Sequence, residues 1–386
     1  MIPYGRQNIN QADIDAVVAV LSEDFLTQGP AIQRFERTVT NYCGAQHGVA
    51  VSSATAGLHI ACVALDLGPG DWLWTSPNTF VASANCALYC GAQVDFVDID
   101  PNTYNMCTDR LAEKLAQAEK IGKLPKIVMP VHLCGQSCDM AVIYALSQQY
   151  GFRIIEDASH AIGGKYKNEP IGNCRYSDIT VFSFHPVKII TTGEGGMALT
   201  NNSILADRLQ RCRSHGITSD AGIMEPRPAD EIWNYQQISL GFNYRMTDIQ
   251  AALGVSQMTR LDEFVIKRHQ IGKRYDEAFS DIEFEVPWQH PECYSSYHLY
   301  PIRIKMEETK KTQRQIYDAL MSAGININLH YIPVYRQPFY EKMGFNAGYC
   351  QESEKYHKEA ISLPMYPSLP DSDQEYVIEI LHSIFK

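Results

Sequence analysis

Seven short apolar runs, set at intervals along the N-terminal half of this chain, constrain its fold more than any other feature. They are "GVAVSS" (48–53), "DWLWTSP" (71–77), "AQVDFVDID" (92–100), "KIVMPVHL" (126–133), "FRIIEDAS" (152–159), "DITVFSFH" (178–185) and "GGMALTN" (195–201). Stretches with helical spacing, such as "TAGLHIACVALDL" and "DMAVIYALSQQY", lie between many of them. Runs that are apolar on both faces, joined by crossover helices, predict an α/β domain with a largely parallel central sheet flanked by helices. Ahead of the first run, Ile14, Val17, Val18 and Leu21 recur at helical spacing, with Asn10 placed to cap that helix.

The alternation fades near residue 240. At 386 residues the chain exceeds what one hydrophobic core usually organises. A large α/β domain is therefore expected over 1–245. From 246 to 386, "MTDIQAALGVSQMTRLDEFVIKRHQIGKRYDEAF", strand-like "YSSYHLYPIRIK", "TQRQIYDALMSAG" and "SDQEYVIEILHSIF" predict a smaller C-terminal α+β domain.

A net charge of −11 argues against a nucleic-acid partner, which would call for a basic stripe. No stretch reaches the roughly 20 apolar residues of a membrane span, and Met1 leads into a polar segment without a signal-peptide pattern. The expected location is cytoplasmic, with the 11 scattered cysteines reduced rather than paired. One cluster, "HLCGQSC", sets His132 beside Cys134 and Cys138. Zinc sites ask for a second ligand pair further along. None is convincing here, so no metal is expected.

Ligands of open α/β sheets bind beyond the carboxyl ends of the strands, and four unusual stretches lie at such ends. In "SSATAGLHIA" a strand ends in small residues and a helix begins at about Thr55, so backbone amides and the helix N-terminus face any anion there. In "SPNTFVASANC", Phe80 follows a strand end and could cover a flat ring. In "IIEDASHA", Asp157 ends an apolar strand, where a carboxylate needs a cation or donors, and His160 follows three residues later. In "SFHPVKIITTGEGG", Ser183 precedes Lys188, which stands before a glycine turn. A partly desolvated lysine loses its proton readily and can form a Schiff base.

Each stretch alone has a plainer reading: small residues for packing, a core phenylalanine, a turn-capping aspartate, a surface lysine. Pyridoxal phosphate asks for all four together. It needs an anion cradle, an aromatic cover, a carboxylate for the pyridine nitrogen and a lysine imine.

The stretches "EDASHA", "SFHPVKIITTGEGGMALTNN", "RSHGI", "GFNYRMTDIQAALGVSQM", "INLHYIPVY" and "ISLPMYPSL" resemble the fold type I pyridoxal-phosphate aminotransferases that act on nucleotide-linked keto-sugars, the DegT-like family. The resemblance runs over nearly the whole chain. Within that family, "GRQNI", "DFLTQGP", "TSPNTFVASANC", "CGAQVDFVDIDP" and "SHAIGGKYKN" are most similar to the branch that aminates UDP-2-acetamido-2,6-dideoxy-β-L-arabino-hex-4-ulose in pseudaminic acid biosynthesis.

The resemblance implies a role for each site residue. Lys188 holds the cofactor as an imine and then moves protons. Asp157 pairs with the pyridine nitrogen, and His160 lies near the phenolic oxygen, where many relatives have glutamine. Phe80 stacks on the ring, Ala54 and Thr55 lie in the phosphate loop, and Ser183 donates to the phosphate. Asn243, in "GFNYR", reaches the neighbouring subunit's cofactor, so the resemblance also implies a homodimer with shared sites. L-Glutamate would supply the amino group and leave as 2-oxoglutarate, and a UDP-linked keto-sugar would receive it. Lys188 argues against the related sugar dehydratases, which carry histidine at that position. A non-catalytic cofactor-binding regulator would normally carry an added DNA-binding domain, and a dinucleotide dehydrogenase would need a G-x-G-x-x-G after the first strand. Side chains of the N-terminal segment and the "NLHYIPVY" loop are expected to decide which sugar fits.

Overall fold

The computed structural model describes residues 1–386 except 229, 233, 283, 308, 310 and 386. All seven apolar runs supply strands to one sheet. Its order is His47–Val51, Gly196–Thr200, Ile179–Ser183, Arg153–Asp157, Ile127–Met129, Trp72–Thr75 and Gln93–Phe96. Ile179–Ser183 and the four strands beyond it pair in parallel, as their doubly apolar character predicts. Gly196–Thr200 departs from that pattern and runs antiparallel to both of its neighbours.

Helices cover both faces. Ile60, Cys62, Leu205 and Leu209 pack on one side of the sheet, against Val49, Val51 and Val181. Phe35, Val39, Met246 and Phe264 pack on the other, against Ala50, Phe182 and Met197. Local chemistry fixes the helix starts. Ser53 Oγ accepts from Ala56 N–H, Asn202 from Ile204 and Leu205, and Thr247 closes a capping box with Gln250. Helix Pro30–Cys43 begins at Gly29, which has no side chain to cap it. The Asp248 carboxylate does so instead, accepting from Gly29 N at 2.8 Å and Ala31 N at 2.9 Å. Helix Asp248–Met258 is thereby held against helix Pro30–Cys43.

The opening helix, Gln11–Leu21, is capped by Asn10 as its sequence predicts. Its apolar stripe does not enter this chain's own core: Ile14, Val18 and Leu21 are all about half exposed. Buried Asp13 holds the helix instead, bound by Ser256, Gln257 and Arg260.

A second core lies around the three-stranded sheet Phe284–Glu285, Tyr300–Ile304 and Ala360–Leu363. Ile2 belongs to that core, and its N–H donates to Gly324 O. The N-terminal segment is therefore tied to the C-terminal part of the chain. A further small sheet, Cys293–Tyr294 with Lys165–Tyr166 and Glu169–Pro170, links the two cores. Among the described residues no helix is long and apolar enough to cross a membrane.

Candidate active site

The carboxyl ends of the strands open into a cavity of about 890 Å³. Ala54, Thr55, Phe80, Asp157, His160, Ser183 and Lys188 all line it. Residues far apart in the chain are thus brought to one opening by parallel strand order. Asn243 lies outside that lining, exposed and bridged to Ser214.

One wall is the turn from strand His47–Val51 into helix Ala54–Ala64. Ala56 N donates to Ser53 Oγ at 3.1 Å and Gly57 N to Ser53 O at 3.0 Å, which leaves the amides of Ala54 and Thr55 unengaged at the helix start among the described residues. Gly196 backs this turn, and a β-carbon on it would fall 2.6 Å from Ala54 N. Because its strand runs antiparallel, Gly196 is level with Val51 on one side and Ser183 on the other. The glycines after Lys188 therefore do more than turn the chain, since Gly196 lets a strand pass behind the anion-facing amides.

Asp157 ends its strand buried, at 4% exposure. Ser83 Oγ donates to its Oδ2 at 2.6 Å, and Ser159 donates to its Oδ1 through N at 3.1 Å and Oγ at 2.5 Å. These donors hold the carboxylate in one orientation at the cavity. Lys188 forms no side-chain hydrogen bond or ion pair among the described residues. Burial pushes its amine down to about 8, against the opposing pull of the Asp157 carboxylate. Such an amine is still mostly protonated at neutral pH but gives up its proton far more readily than an ordinary lysine. Phe80 is 60% exposed, an aromatic face with room for a flat ring against it.

The remaining wall contains residues that sequence reasoning missed or located only as a loop. His160 packs against His298 with ring centroids 4.3 Å apart, and the Tyr331 hydroxyl lies 3.3 Å from His160 Nε2. His330 contacts the Tyr4 ring at 5.6 Å, and its Nδ1 lies 2.8 Å from Ser362 Oγ. Burial, and then the charge of Lys188 and of neighbouring histidines, holds His160 and His298 well below the usual histidine range. Burial and then the Lys188 charge push His330 down to about 3. All three rings are neutral at physiological pH. The histidine in "SSYHLY" was the available signal for His298, but nothing local to that strand points to His160.

His132, the centre of the cysteine cluster, serves packing and orientation. Cys138 N–H donates to its Nδ1 at 3.1 Å, and its Nε2 lies 2.7 Å from Glu156 Oε2. Cys138 Sγ donates to Val131 O.

These observations fit pyridoxal phosphate. Two unengaged amides at a helix N-terminus suit a phosphate, and Gly196 keeps that turn accessible. A fixed carboxylate and a lysine of lowered proton affinity share the same cavity.

The family model for the DegT/DnrJ/EryC1/StrS aminotransferase family matches residues 7–382. The Bacillus subtilis spore coat polysaccharide biosynthesis protein SpsC is 37% identical, over 100% of this chain and 97% of that protein. A Campylobacter jejuni UDP-4-amino-4,6-dideoxy-N-acetyl-beta-L-altrosamine transaminase is 35% identical, over 100% of this chain and 98% of that protein. Among solved structures, Helicobacter pylori PseC, an aminotransferase involved in the biosynthesis of pseudoaminic acid, superposes with a TM-score of 0.89 at 30% identity, covering 100% of this chain and 99% of that one. The PLP form of the putative sugar aminotransferase Spr1654 from Streptococcus pneumoniae gives 0.88 at 29% identity, covering 100% of both chains.

Proposed function

This chain belongs to the DegT/DnrJ/EryC1/StrS aminotransferase family and is a pyridoxal-phosphate-dependent sugar aminotransferase; on that premise, we propose that it transfers the amino group of L-glutamate to the 4-keto carbon of a UDP-linked 6-deoxy-N-acetyl-hexos-4-ulose. The substrate we favour is UDP-2-acetamido-2,6-dideoxy-β-L-arabino-hex-4-ulose, the keto-sugar of pseudaminic acid biosynthesis. The observation that carries the reading is the meeting of Lys188, Asp157 and the Ala54–Thr55 turn in one cavity.

When bound, pyridoxal phosphate supplies an electron sink that stabilises negative charge at the carbon bearing the amino group. The chain's own residues do the rest. The amides of Ala54 and Thr55, with Ser183 Oγ, would hold the phosphate. The Asp157 carboxylate, fixed by Ser83 and Ser159, would keep the ring nitrogen protonated. Phe80 would lie on the ring face. Lys188 Nζ, readily neutral, takes a proton from the α-carbon of glutamate and delivers one to the sugar carbon that receives nitrogen. His160, neutral and within reach of the Tyr331 hydroxyl, would place a hydrogen-bonding edge at the phenolic oxygen.

We also propose a homodimer in which Asn243 serves the partner's site. The exposed apolar residues Ile14, Val18, Leu21, Phe25 and Leu26 support a surface that a second subunit covers. Asn243 itself is exposed and outside its own chain's cavity, as a residue serving another subunit should be. The expected domain division at 245/246 and the cytoplasmic location remain part of the same proposal.

A second reading keeps the chemistry and changes the sugar. SpsC, whose name refers to a coat polysaccharide, matches at an identity slightly above that of the altrosamine transaminase. Incubating the protein with L-glutamate and a panel of UDP-4-keto-sugars separates the two. Preferred formation of the 4-amino-altrosamine product with equimolar 2-oxoglutarate supports the first reading. Turnover of a different keto-sugar alone supports the second.

A further inference from the structure

Helix Leu261–Ala278 carries an apolar stripe that serves both cores. Leu261, Phe264 and Val265 pack into the first, and Ile271 and Tyr275 into the second. Between them the stripe is broken by Arg268, which is buried at 1% exposure. A buried guanidinium is costly unless its charge is met. This one meets no carboxylate among the described residues. Its Nη1 instead donates to three main-chain carbonyls, Tyr297 O at 3.1 Å, His298 O at 3.2 Å and Met365 O at 2.9 Å.

Two of those carbonyls belong to the segment behind His160. His269, the next residue of the helix, adds a contact from Nε2 to Ser295 O at 2.7 Å. From the first core the loop of the "HLCG" motif meets the same segment. His298 N donates to Cys134 O at 2.8 Å, and Ser296 N to Gly135 O at 3.1 Å. A β-carbon on Gly135 would fall 2.4 Å from Ser296 Oγ, so the two loops meet without slack. Tyr297 holds a left-handed φ of 49°, a conformation that a non-glycine residue keeps only with support from its surroundings. The segment in turn holds His160 twice. Ser296 Oγ donates to His160 O at 2.7 Å, and the His298 ring packs on the His160 ring at 4.3 Å.

We propose that Arg268 is a positioning residue for the cofactor cavity, fixing segment 295–298 through its carbonyls and, through that segment, the backbone and ring of His160. Arg268 itself does not line the cavity. The third carbonyl extends the clamp to the N-terminal segment, because Met365 N donates to Tyr4 O at 3.0 Å and Tyr4 lines the cavity beside His330. One side chain at the junction of the two cores thus sets the wall that faces Lys188. The consequence for the cofactor rests on the reading that His160 lies at its phenolic oxygen.

The test uses the whole protein. Arg268→Met keeps the bulk of the side chain and removes its donors. Amide hydrogen exchange of the cofactor-free variant should rise roughly tenfold over residues 295–299 and 158–162, with helix Ala54–Ala64 unchanged. In the protein loaded with pyridoxal phosphate, the visible band should move in the direction seen for His160→Ala, by at least half as far. Adding His298→Gln to Arg268→Met should displace the band little further, as expected of residues in one chain of contacts. If Arg268→Met does not fold, Arg268→Gln, whose amide is too short to reach the carbonyls, carries the same expectations. Exchange that rises equally throughout both cores, exchange at 158–162 that stays at the wild-type rate, or a band that stays in place although His160→Ala moves it would overturn the proposal. A band that His160→Ala itself leaves in place would instead overturn the placement of His160 at the phenolic oxygen, and the exchange pattern then decides the clamp alone.

Discussion

Gly196 lies so close to Ala54 that a β-carbon on the glycine would stand 2.6 Å from the Ala54 amide nitrogen and 2.7 Å from the Ser53 carbonyl carbon. Both contacts are to backbone, which has little room to yield. The strand after the lysine turn thus fixes the shape of the anion turn after the first strand. Gly196→Ala should push that turn out of line and misdirect at least one amide. A lost hydrogen bond to a charged group is worth about 1.5–3 kcal/mol, or roughly tenfold to a hundredfold in pyridoxal phosphate affinity. Gly193→Ala is the control: its φ of +80° carries backbone strain, but its β-carbon meets nothing within 4 Å. Cofactor titration followed by visible absorbance should show weakened binding for the first variant and near-normal affinity for the second.

Asp157→Asn should keep the cofactor bound and slow both half-reactions. The amide carbonyl can still accept from Ser83 or Ser159, so the local fold is expected to survive. What is lost is the charge that keeps the ring nitrogen protonated. Removing one preorganised electrostatic partner of a reaction commonly slows it about 10²–10³-fold. Single-turnover absorbance changes with glutamate measure the effect directly, and a rate within threefold of wild type would make Asp157 a structural residue.

Much of this arrangement was legible in the sequence. The strand runs could be read because both of their faces are apolar, and Asp157 stood out because a carboxylate at the end of such a run needs a reason. Lys188 and Ser183 were marked by the glycine turn that follows them. The orientation of strand Gly196–Thr200 was not legible, because an apolar run carries no sign of its direction. For the same reason Gly196 looked like a turn residue rather than the floor of the anion turn. His298 and His330 were missed because they reach His160 and Tyr4 only through packing of the second core on the first. The opening helix was read correctly from its period and cap. Its stripe faces outward, however, and periodicity shows that a face is apolar without showing what covers it.

The histidine cluster should make the cofactor-free protein sensitive to mild acid. His160, His298 and His330 have folded-state proton affinities lowered by burial and nearby positive charge, whereas the unfolded chain binds their protons near pH 6.5. The unfolded state therefore holds more protons below that pH, and stability falls as pH drops from 6.5 toward the folded values. Each buried ring contributes at most about 1.4 kcal/mol per pH unit. Urea unfolding midpoints between pH 7 and pH 5 should fall more steeply for wild type than for His298→Gln. Parallel slopes would show that these rings protonate without cost in the folded chain.

Subunit mixing tests the shared site. Lys188→Ala removes the amine from one side, and Asn243→Asp places a negative charge where the partner's phosphate is proposed to lie. Each homodimer should be impaired. In a mixed dimer one site carries both lesions and the other carries neither, so random pairing restores roughly a quarter of all sites. Glutamate-dependent amination after subunit exchange should rise above the sum of the separate variants. With exchange confirmed, the absence of any recovery would place Asn243 in its own subunit's site or outside any site.

The central claim is that Lys188 is the amine that engages pyridoxal phosphate, and borohydride trapping tests it most directly. The holoprotein is reduced, digested and mapped, and cofactor-free protein is loaded across a pH series before reduction. The account predicts a single pyridoxyl group on Lys188, no covalent adduct in Lys188→Ala, and an initial loading rate that rises with pH through about 8 as the buried amine loses its proton. A pyridoxyl group on another lysine, or an adduct that persists in Lys188→Ala, would contradict it.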